Sequence, residues 1–140
     1  MSITIDGHNL PDQLSTLVRK GKWRAPTERK LWASLVSLDQ VIQPSLYPLD
    51  KANGTSLWES EAGIDFIGVD DNAIIPGKLD PSQSIIIGDL GPERLLALDL
   101  RISKSNPPVC AFLPREDDES CWVEIASSLD VFIVALALDS

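Results

Sequence analysis

The chain has 140 residues, of which 44% are hydrophobic, and its 12 Lys and Arg against 21 Asp and Glu give a formal net charge of −9. This length fits one domain around a single core, and no uncharged run approaches the roughly 18 apolar residues of a transmembrane helix. An acidic chain repels phosphate backbones and anionic lipids, so we expect neither nucleic acid nor a membrane as its partner.

The charge is unevenly distributed along the chain. Residues 1–58 have a net charge of +2, whereas residues 59–140 have a net charge of −11. The acidic part would attract a basic protein, although acidic surfaces also simply keep proteins soluble. The first residues lack a basic stretch followed by an apolar one, so we expect no secretory signal and a cytoplasmic protein.

Two helices are predicted in the N-terminal third. The first covers residues 11–20, where leucines recur at helical spacing, with Asn9 as its candidate cap and Gly21 at its end. The second covers residues 27–42 and ends before Pro44. Its apolar stripe consists of Leu31, Trp32, Leu35, Val36, Leu38 and Ile42. Both helices therefore need a surface to pack against.

Residues 43–62 are predicted to form a long irregular connection, because prolines and an Asn-Gly step interrupt any periodicity. Long connections often carry function, and Trp58 is the best candidate here for an exposed aromatic contact. Two short strands, residues 64–69 and 73–75, are predicted to follow, on either side of a turn.

The C-terminal half contains four short β-like runs, at residues 84–88, 95–101, 109–113 and 121–125. The segments between them are too short to hold a crossover helix, so neighbouring strands must be antiparallel. We therefore predict an α+β fold in which an antiparallel meander of about four to six strands is covered on one face by the two N-terminal helices and a C-terminal helix.

The C-terminal helix has an ambiguous start. Residues 122–138 could form one helix, but Ser127 and Asp130 have the spacing of a capping box. We therefore expect a last strand through Ile125 and a helix from Ser128. Its final turns are apolar nearly all round, so it is either wrapped by the N-terminal helices or exposes an apolar strip to a partner.

Few residues in the chain could carry chemistry. His8 is the only histidine and no nucleophile-elbow sequence is present, so nucleophilic catalysis is not expected. Cys110 and Cys121 lack the spacing of a zinc site, and we expect both to be reduced and inert; the alternative is a bridge between adjacent strands under oxidation. Gly88 and Gly91 do not form a phosphate-binding loop, because no Lys-Ser or Lys-Thr follows them, so we interpret them as hairpin glycines.

Charged and aromatic side chains suggest further structural roles. Asp99 and Arg101 lie two apart on one predicted strand, so they share a face, where they pair with each other or across to a neighbouring strand. We expect a surface ion pair, with an anchoring role toward the loops as the alternative. Trp32 and Trp122 are predicted to be core residues. Trp23, among basic residues, is predicted to form the hinge between the two N-terminal helices.

Several stretches, taken together, resemble a known superfamily. They are Ile-Gly-Asp-Leu-Gly at 87–91, Leu-Ala-Leu-Asp-Leu-Arg at 96–101, Pro-Pro-Val at 107–109 and Trp-Val-Glu-Ile-Ala-Ser-Ser-Leu-Asp-Val-Phe at 122–132, joined by residues 10–11 and 21–26. These stretches are similar to the SUKH superfamily, which includes a fungal cell-wall synthesis regulator and many bacterial immunity proteins. The motif positions to which the resemblance gives a structural role are Trp23, Gly88, Asp99, Arg101, Trp122 and Phe132.

The resemblance implies a single domain over residues 1–140 that has no cofactor, binds no metal, catalyses no reaction and acts by protein contact. We therefore expect a non-enzymatic binding module, specifically an immunity protein whose acidic surface occludes a basic toxin such as a nuclease. A regulator or scaffold with no toxin partner is the alternative, and an acid/base enzyme is a weaker third. The candidate contact residues are Trp58, Glu59, Glu61, Asp70, Asp71, Glu116, Asp117, Asp118 and Glu119. We expect a monomer or a weak dimer.

Overall fold

A computed structural model of the chain describes residues 4–5, 8–47, 49, 83–91, 94–114 and 120–139. In chain order, the elements are β1 (Thr4–Ile5), β2 (His8–Asn9), α1 (Asp12–Arg19), two 3₁₀-helices (Arg29–Ser34 and Leu38–Gln40), β3 (Ser45–Leu46), β4 (Ser84–Asp89), β5 (Leu95–Asp99), β6 (Val109–Pro114), β7 (Ser120–Ala126) and α2 (Leu129–Ala135). The predicted strands at 64–69 and 73–75 lie outside the described residues. The α+β class is confirmed.

The larger sheet of the fold is a five-stranded meander. Strands β3 to β7 lie side by side in chain order, and each neighbouring pair is antiparallel. The four β-like runs of the C-terminal half each overlap one strand, although β5 ends at Asp99, two residues before the end of the predicted run. Strand β3 was not predicted, because its residues fall in the segment expected to be irregular. Strands β1 and β2 form a separate antiparallel pair.

The middle of this sheet is buried on both faces. Successive side chains of a strand point to opposite faces, yet Ile85, Ile86 and Ile87 of β4 are all fully buried, as are Leu96 and Leu98 of β5. Each such side chain contributes roughly 1.5–3 kcal/mol to folding. Both faces of these strands are therefore covered, whereas the prediction from the sequence concerned only the one face that the helices cover.

Helix α1 forms where it was predicted, and its buried face contains Leu14 and Leu17. Its end is also as expected, since Gly21 has a φ of +71°, which a side chain disfavours. The predicted cap is wrong. Asn9 belongs to β2, where it pairs with Thr4, and the helix begins after Pro11 with no side-chain cap.

The predicted helix at residues 27–42 is wrong, because the chain forms two separate 3₁₀-helices there. The first helix ends with two amides donating to the Trp32 carbonyl, and Ser37 is then extended, with a ψ of 134°. The Arg29 side chain stabilises this break. Its Nη2 donates to the carbonyl of Leu38 at 2.9 Å and also to that of Val41, and a continuous helix through residue 42 would use the first of these carbonyls internally.

The predicted apolar stripe on this segment divides at the break. Trp32 is fully buried and Val36 nearly so, but Leu38 and Ile42 are 38% and 55% exposed. The reason is long-range, since the amides of Ile42 and Gln43 donate to the carbonyl of Leu90 at 2.9 and 3.0 Å. This contact pulls the chain out of helical register and into β3.

Helix α2 follows a strand, as predicted, and Ser128 is its cap. The Ser128 hydroxyl accepts from the Val131 amide at 3.3 Å, whereas Ser127 is exposed. The cap is therefore one residue later than expected, and it is a single cap without the reciprocal bond of a capping box, because Val131 has no side-chain acceptor. The helix buries Phe132 and leaves Val134 69% exposed, so it is wrapped on one side only.

Three aromatic rings join α2 to the N-terminal part of the chain. The ring of Phe132 lies 6.1 Å from that of Trp23 and 6.0 Å from that of Trp32, within the range of favourable aromatic pairs. Trp23 is 7% exposed, so the residue expected to be a hinge is a core residue. None of the helices in the described part of the chain has the length and apolarity needed to cross a membrane.

Candidate functional site

The candidate contact residues lie outside the part of the chain that the structure describes. They are Trp58, Glu59, Glu61, Asp70, Asp71 and the acidic run Glu116, Asp117, Asp118 and Glu119, and their role stays a prediction. The structure does show the backbone that holds both ends of the acidic run. Pro114 pairs with Ser120 and Leu113 with Cys121, so the run starts and ends on one β6–β7 hairpin.

The chain enters the other candidate segment after β3, and Gly88 of β4 permits the close approach of β3. Leu46 of β3 pairs with Gly88, and a Cβ built on this glycine would collide with the Ser45 carbonyl oxygen and lie 3.1 Å from the Leu46 Cα. Only a residue without a side chain fits here. The role of Gly88 is therefore to let β3 dock at the edge of the sheet.

Tyr47 fixes the chain just beyond β3. Its hydroxyl donates to Asp89 Oδ2 at 2.7 Å, and the Gly91 amide donates to Asp89 Oδ1 at 3.1 Å. Its backbone amide also donates to the Ile87 carbonyl at 2.9 Å. Position 48, the next along the chain, lies outside the described residues, so the bonds of Tyr47 hold the chain where it enters the segment that contains Trp58.

A further contact fixes the residues before β3. Arg94 Nε donates to Gln40 Oε1 at 3.0 Å, beside the two amides that donate to Leu90. The apolar side chains of Leu38 and Ile42 remain partly exposed, although these hydrogen bonds hold the neighbouring backbone. Residues 38–47 are thus tied to residues 87–94 by both backbone and side-chain bonds.

A polar cluster on another side of the molecule links three elements. Gln13 of α1 donates through Nε2 to Asn106 Oδ1 at 3.3 Å and to Asp130 Oδ1 at 3.2 Å. Asn106 Nδ2 donates to Asp130 Oδ2 at 3.3 Å, and the Asp130 amide donates to Asn106 Oδ1 at 3.0 Å. Each of the three side chains bonds to the other two, so the role of the cluster is to join α1, α2 and the β5–β6 connection.

The Asp99–Arg101 pair is buried, so the surface ion pair expected from the sequence is wrong. Arg101 Nε lies 3.0 Å from Asp99 Oδ1, and the two side chains are only 5% and 6% exposed. Arg101 Nη2 donates to Asp99 Oδ2 at 3.1 Å, which makes the contact bidentate. The carboxylate is occupied by this cation.

Cys110 is buried and chemically quiet. Burial, followed by the nearby carboxylates of Asp99 and Glu124, raises the pKa of its thiol to about 12, so it stays protonated at neutral pH. Its Cα pairs with Glu124, three residues along β7 from Cys121, which corresponds to roughly 10 Å of strand. A disulfide needs Cα atoms within about 7 Å, so the alternative of a cross-strand bridge is excluded.

The described residues offer no grouping typical of catalysis. No three of their His, Cys, Asp and Glu side chains are placed to hold a metal ion. Two open grooves of about 390 and 410 Å³ are present, one beside His8 and one beside Lys22. The remaining motif residue, Trp122, is buried against Phe112 with ring centroids 5.3 Å apart.

Comparison with known proteins agrees with this architecture. Residues 7–135 match the model of the SMI1 / KNR4 family (SUKH-1). No curated protein and no solved structure gives a significant match. The family match spans nearly the whole chain and includes every motif position named above, so the resemblance is confirmed: the chain belongs to the SMI1 / KNR4 family (SUKH-1).

Proposed function

We propose that this protein is a non-enzymatic binding module, an immunity protein that neutralises a basic toxin by direct contact through an acidic surface. Family membership is the observation that carries this proposal, because SUKH proteins are generally non-catalytic immunity or regulatory proteins. A nuclease is a suitable target class, since nucleases need basic surfaces to bind phosphate backbones.

The distribution of charge supports a basic partner. The net charge of −11 on residues 59–140 includes the run Glu116, Asp117, Asp118 and Glu119. Complementary charge accelerates encounter and fixes orientation more than it adds affinity. An immunity protein benefits from fast capture, because its toxin must be bound before it acts.

The state of the polar side chains supports contact over catalysis. Within the described residues, the carboxylate of Asp99 is held by Arg101, and the thiol of Cys110 is protonated and buried. A catalytic acid or nucleophile needs a pKa near the working pH and access to substrate. The Cys110 thiol meets neither requirement, and the buried Asp99 carboxylate lacks access to substrate.

The framework around the candidate segments supports a pre-organised surface. The acidic run starts and ends on the β6–β7 hairpin, and the bond from Tyr47 to Asp89 fixes the entry to the segment with Trp58. Fixing the ends of a binding segment in advance reduces the entropy lost on association.

The test is co-purification with the product of the adjacent gene, followed by calorimetry over a series of salt concentrations. We expect a complex that weakens as salt increases, and protection of cells that express the toxin. The variant Asp117→Lys/Asp118→Lys should weaken the complex by about 2–5 kcal/mol if these charges are buried in the interface. The matched control is Glu28→Lys/Asp39→Lys, which changes the net charge equally at two exposed positions.

Equal loss of affinity in both double variants would contradict a local acidic contact. A complex that is insensitive to salt would contradict it too. A stable complex with a protein that is not toxic, and no protection from any neighbouring gene product, would favour the other candidate, a regulator or scaffold with no toxin partner.

A further inference from the structure

A basic segment interrupts this acidic chain. Residues 19–30 contain six of the 12 Lys and Arg but only one acidic residue, Glu28, giving a net charge of +5. The rest of the chain has a net charge of −14. Charges so strongly segregated in twelve residues create a local positive field within an otherwise negative protein.

Four of these six cations have no partner among the residues that the structure describes. Arg29 binds backbone carbonyls, and Lys30 lies 3.7 Å from Glu28 in an exposed pair. Within the described residues, the side chains of Arg19, Lys20, Lys22 and Arg24 make no hydrogen bond or ion pair. Their charges are therefore available to a ligand.

Lys22 and Arg24 line a groove of about 410 Å³. Its lining also includes Ala25 and Pro26, together with Ala137, just beyond α2. The groove thus combines two cations with an apolar surface.

The cations are not needed to cap α2, whose C-terminus lies at this groove. The last carbonyls of the helix already accept backbone hydrogen bonds at 3.1–3.2 Å: that of Phe132 from the amide of residue 136, that of Ile133 from the amide of residue 138, and that of Val134 from the amide of residue 137. These bonds satisfy the three terminal carbonyls, which are groups that a nearby Lys or Arg side chain often stabilises.

We propose that this groove binds an acidic segment of a protein partner, whose carboxylates pair with Lys22 and Arg24 while an apolar side chain contacts Ala25, Pro26 and Ala137. Charge complementarity identifies the occupant. A carboxylate-bearing peptide needs only the local positive field, whereas nucleic acid and anionic vesicles are extended polyanions that the remaining net charge of −14 repels. The site does not depend on the toxin partner proposed above, which contacts residues of opposite charge.

The test is fluorescence anisotropy with a labelled peptide of glutamates around one central leucine. We expect saturable binding to the full chain that weakens about tenfold in Lys22→Glu and in Arg24→Glu. Lys104→Glu is the matched control, because this exposed lysine lies on the other groove and its reversal changes the net charge equally. It should retain the affinity of the unaltered chain within about twofold. Circular dichroism and thermal unfolding of each variant establish that it is folded.

Equal weakening in Arg24→Glu and Lys104→Glu would overturn the proposal, since it would show a general charge effect. A peptide of glutamines around leucine that bound as well would overturn the need for carboxylates. The proposal also fails if the glutamate peptide does not bind, or if a single-stranded oligonucleotide or anionic vesicles bind this groove in its place.

Discussion

The Asp99 carboxylate binds both the backbone and the side chain of Arg101. Its Oδ1 accepts from the Arg101 amide at 3.1 Å and from Nε at 3.0 Å, and its Oδ2 accepts from Nη2 at 3.1 Å. Because both side chains are about 95% buried, removing one leaves the charge of the other without a partner in a low-dielectric environment. This pair ends β5 and fixes the direction of the chain beyond it.

Breaking this pair should destabilise the fold strongly. Asp99→Ala and Arg101→Ala should each lower the free energy of unfolding by about 3–5 kcal/mol, and the double variant by clearly less than their sum. Urea titrations of the four proteins measure this coupling. The control is Lys30→Ala, which breaks the exposed pair with Glu28 and should cost less than about 1 kcal/mol. Additive costs at positions 99 and 101 would contradict a coupled pair.

The buried thiol of Cys110 should make stability depend on alkaline pH. Its pKa is about 12 in the folded chain against 9.0 for an ordinary thiol, so above pH 9 the unfolded chain loses a proton that the folded chain keeps. The stabilisation is complete below pH 9 and is lost as pH rises toward 12, with a slope of about 1.4 kcal/mol per pH unit. Urea unfolding at several alkaline pH values, in a Cys121→Ser background, measures it.

The control for this dependence is Cys110→Ala in the same background. It should lose the alkaline slope contributed by the thiol, although other groups that titrate there remain. In the Cys121→Ser protein, Cys110 should react with a thiol reagent at pH 8 only after denaturant is added. Rapid reaction under native conditions would contradict a buried, protonated thiol.

The order of the C-terminal strands could be predicted because its causes are local. Each run from β4 to β7 is β-prone, and the segments between runs are too short for anything but antiparallel neighbours. The helix predicted at 27–42 failed for the opposite reason. Its apolar spacing was helical, but the carbonyl of Leu90, far along the chain, binds the amides of Ile42 and Gln43.

The candidate site divides in the same way. The segregation of charge along the chain and the candidate role of Trp58 can be read from the sequence. By contrast, the hydrogen bond from Tyr47 to Asp89 spans 42 positions and that from Gln13 to Asp130 spans 117. No periodicity encodes such pairs. The burial of Asp99 was missed because a spacing of two residues shows which side chains share a face of a strand, not whether that face is covered.

The start of α2 provides a direct test of the capping assignment. Ser128→Ala removes the hydroxyl that accepts from the Val131 amide, and should lower the free energy of unfolding by about 1 kcal/mol. Ser127→Ala is the matched control, because Ser127 is exposed and precedes the cap; its cost should be within about 0.5 kcal/mol. Thermal or urea unfolding of both variants is sufficient. A larger loss at Ser127 would favour the capping box expected from the sequence.

Gly88→Ala should separate β3 from the sheet. The new methyl group would overlap the Ser45 carbonyl oxygen, a backbone atom that can move only if β3 moves with it. We expect a loss of about 1–3 kcal/mol, together with faster hydrogen exchange at the Tyr47 amide, which donates to Ile87 in the folded chain. Gly21→Ala is the control, since its Cβ meets open space and its cost of about 1–2 kcal/mol comes from a φ of +71° alone.

The two glycine variants should therefore differ in where they act, even if their total costs are similar. Gly21→Ala should leave exchange at Tyr47 unchanged after correction for global stability. Gly88→Ala should also weaken any complex that uses the segment beyond Tyr47, because the entry to that segment is no longer fixed. If exchange at Tyr47 and affinity for the partner were both unaffected by Gly88→Ala, the docking of β3 would have no part in presenting that segment.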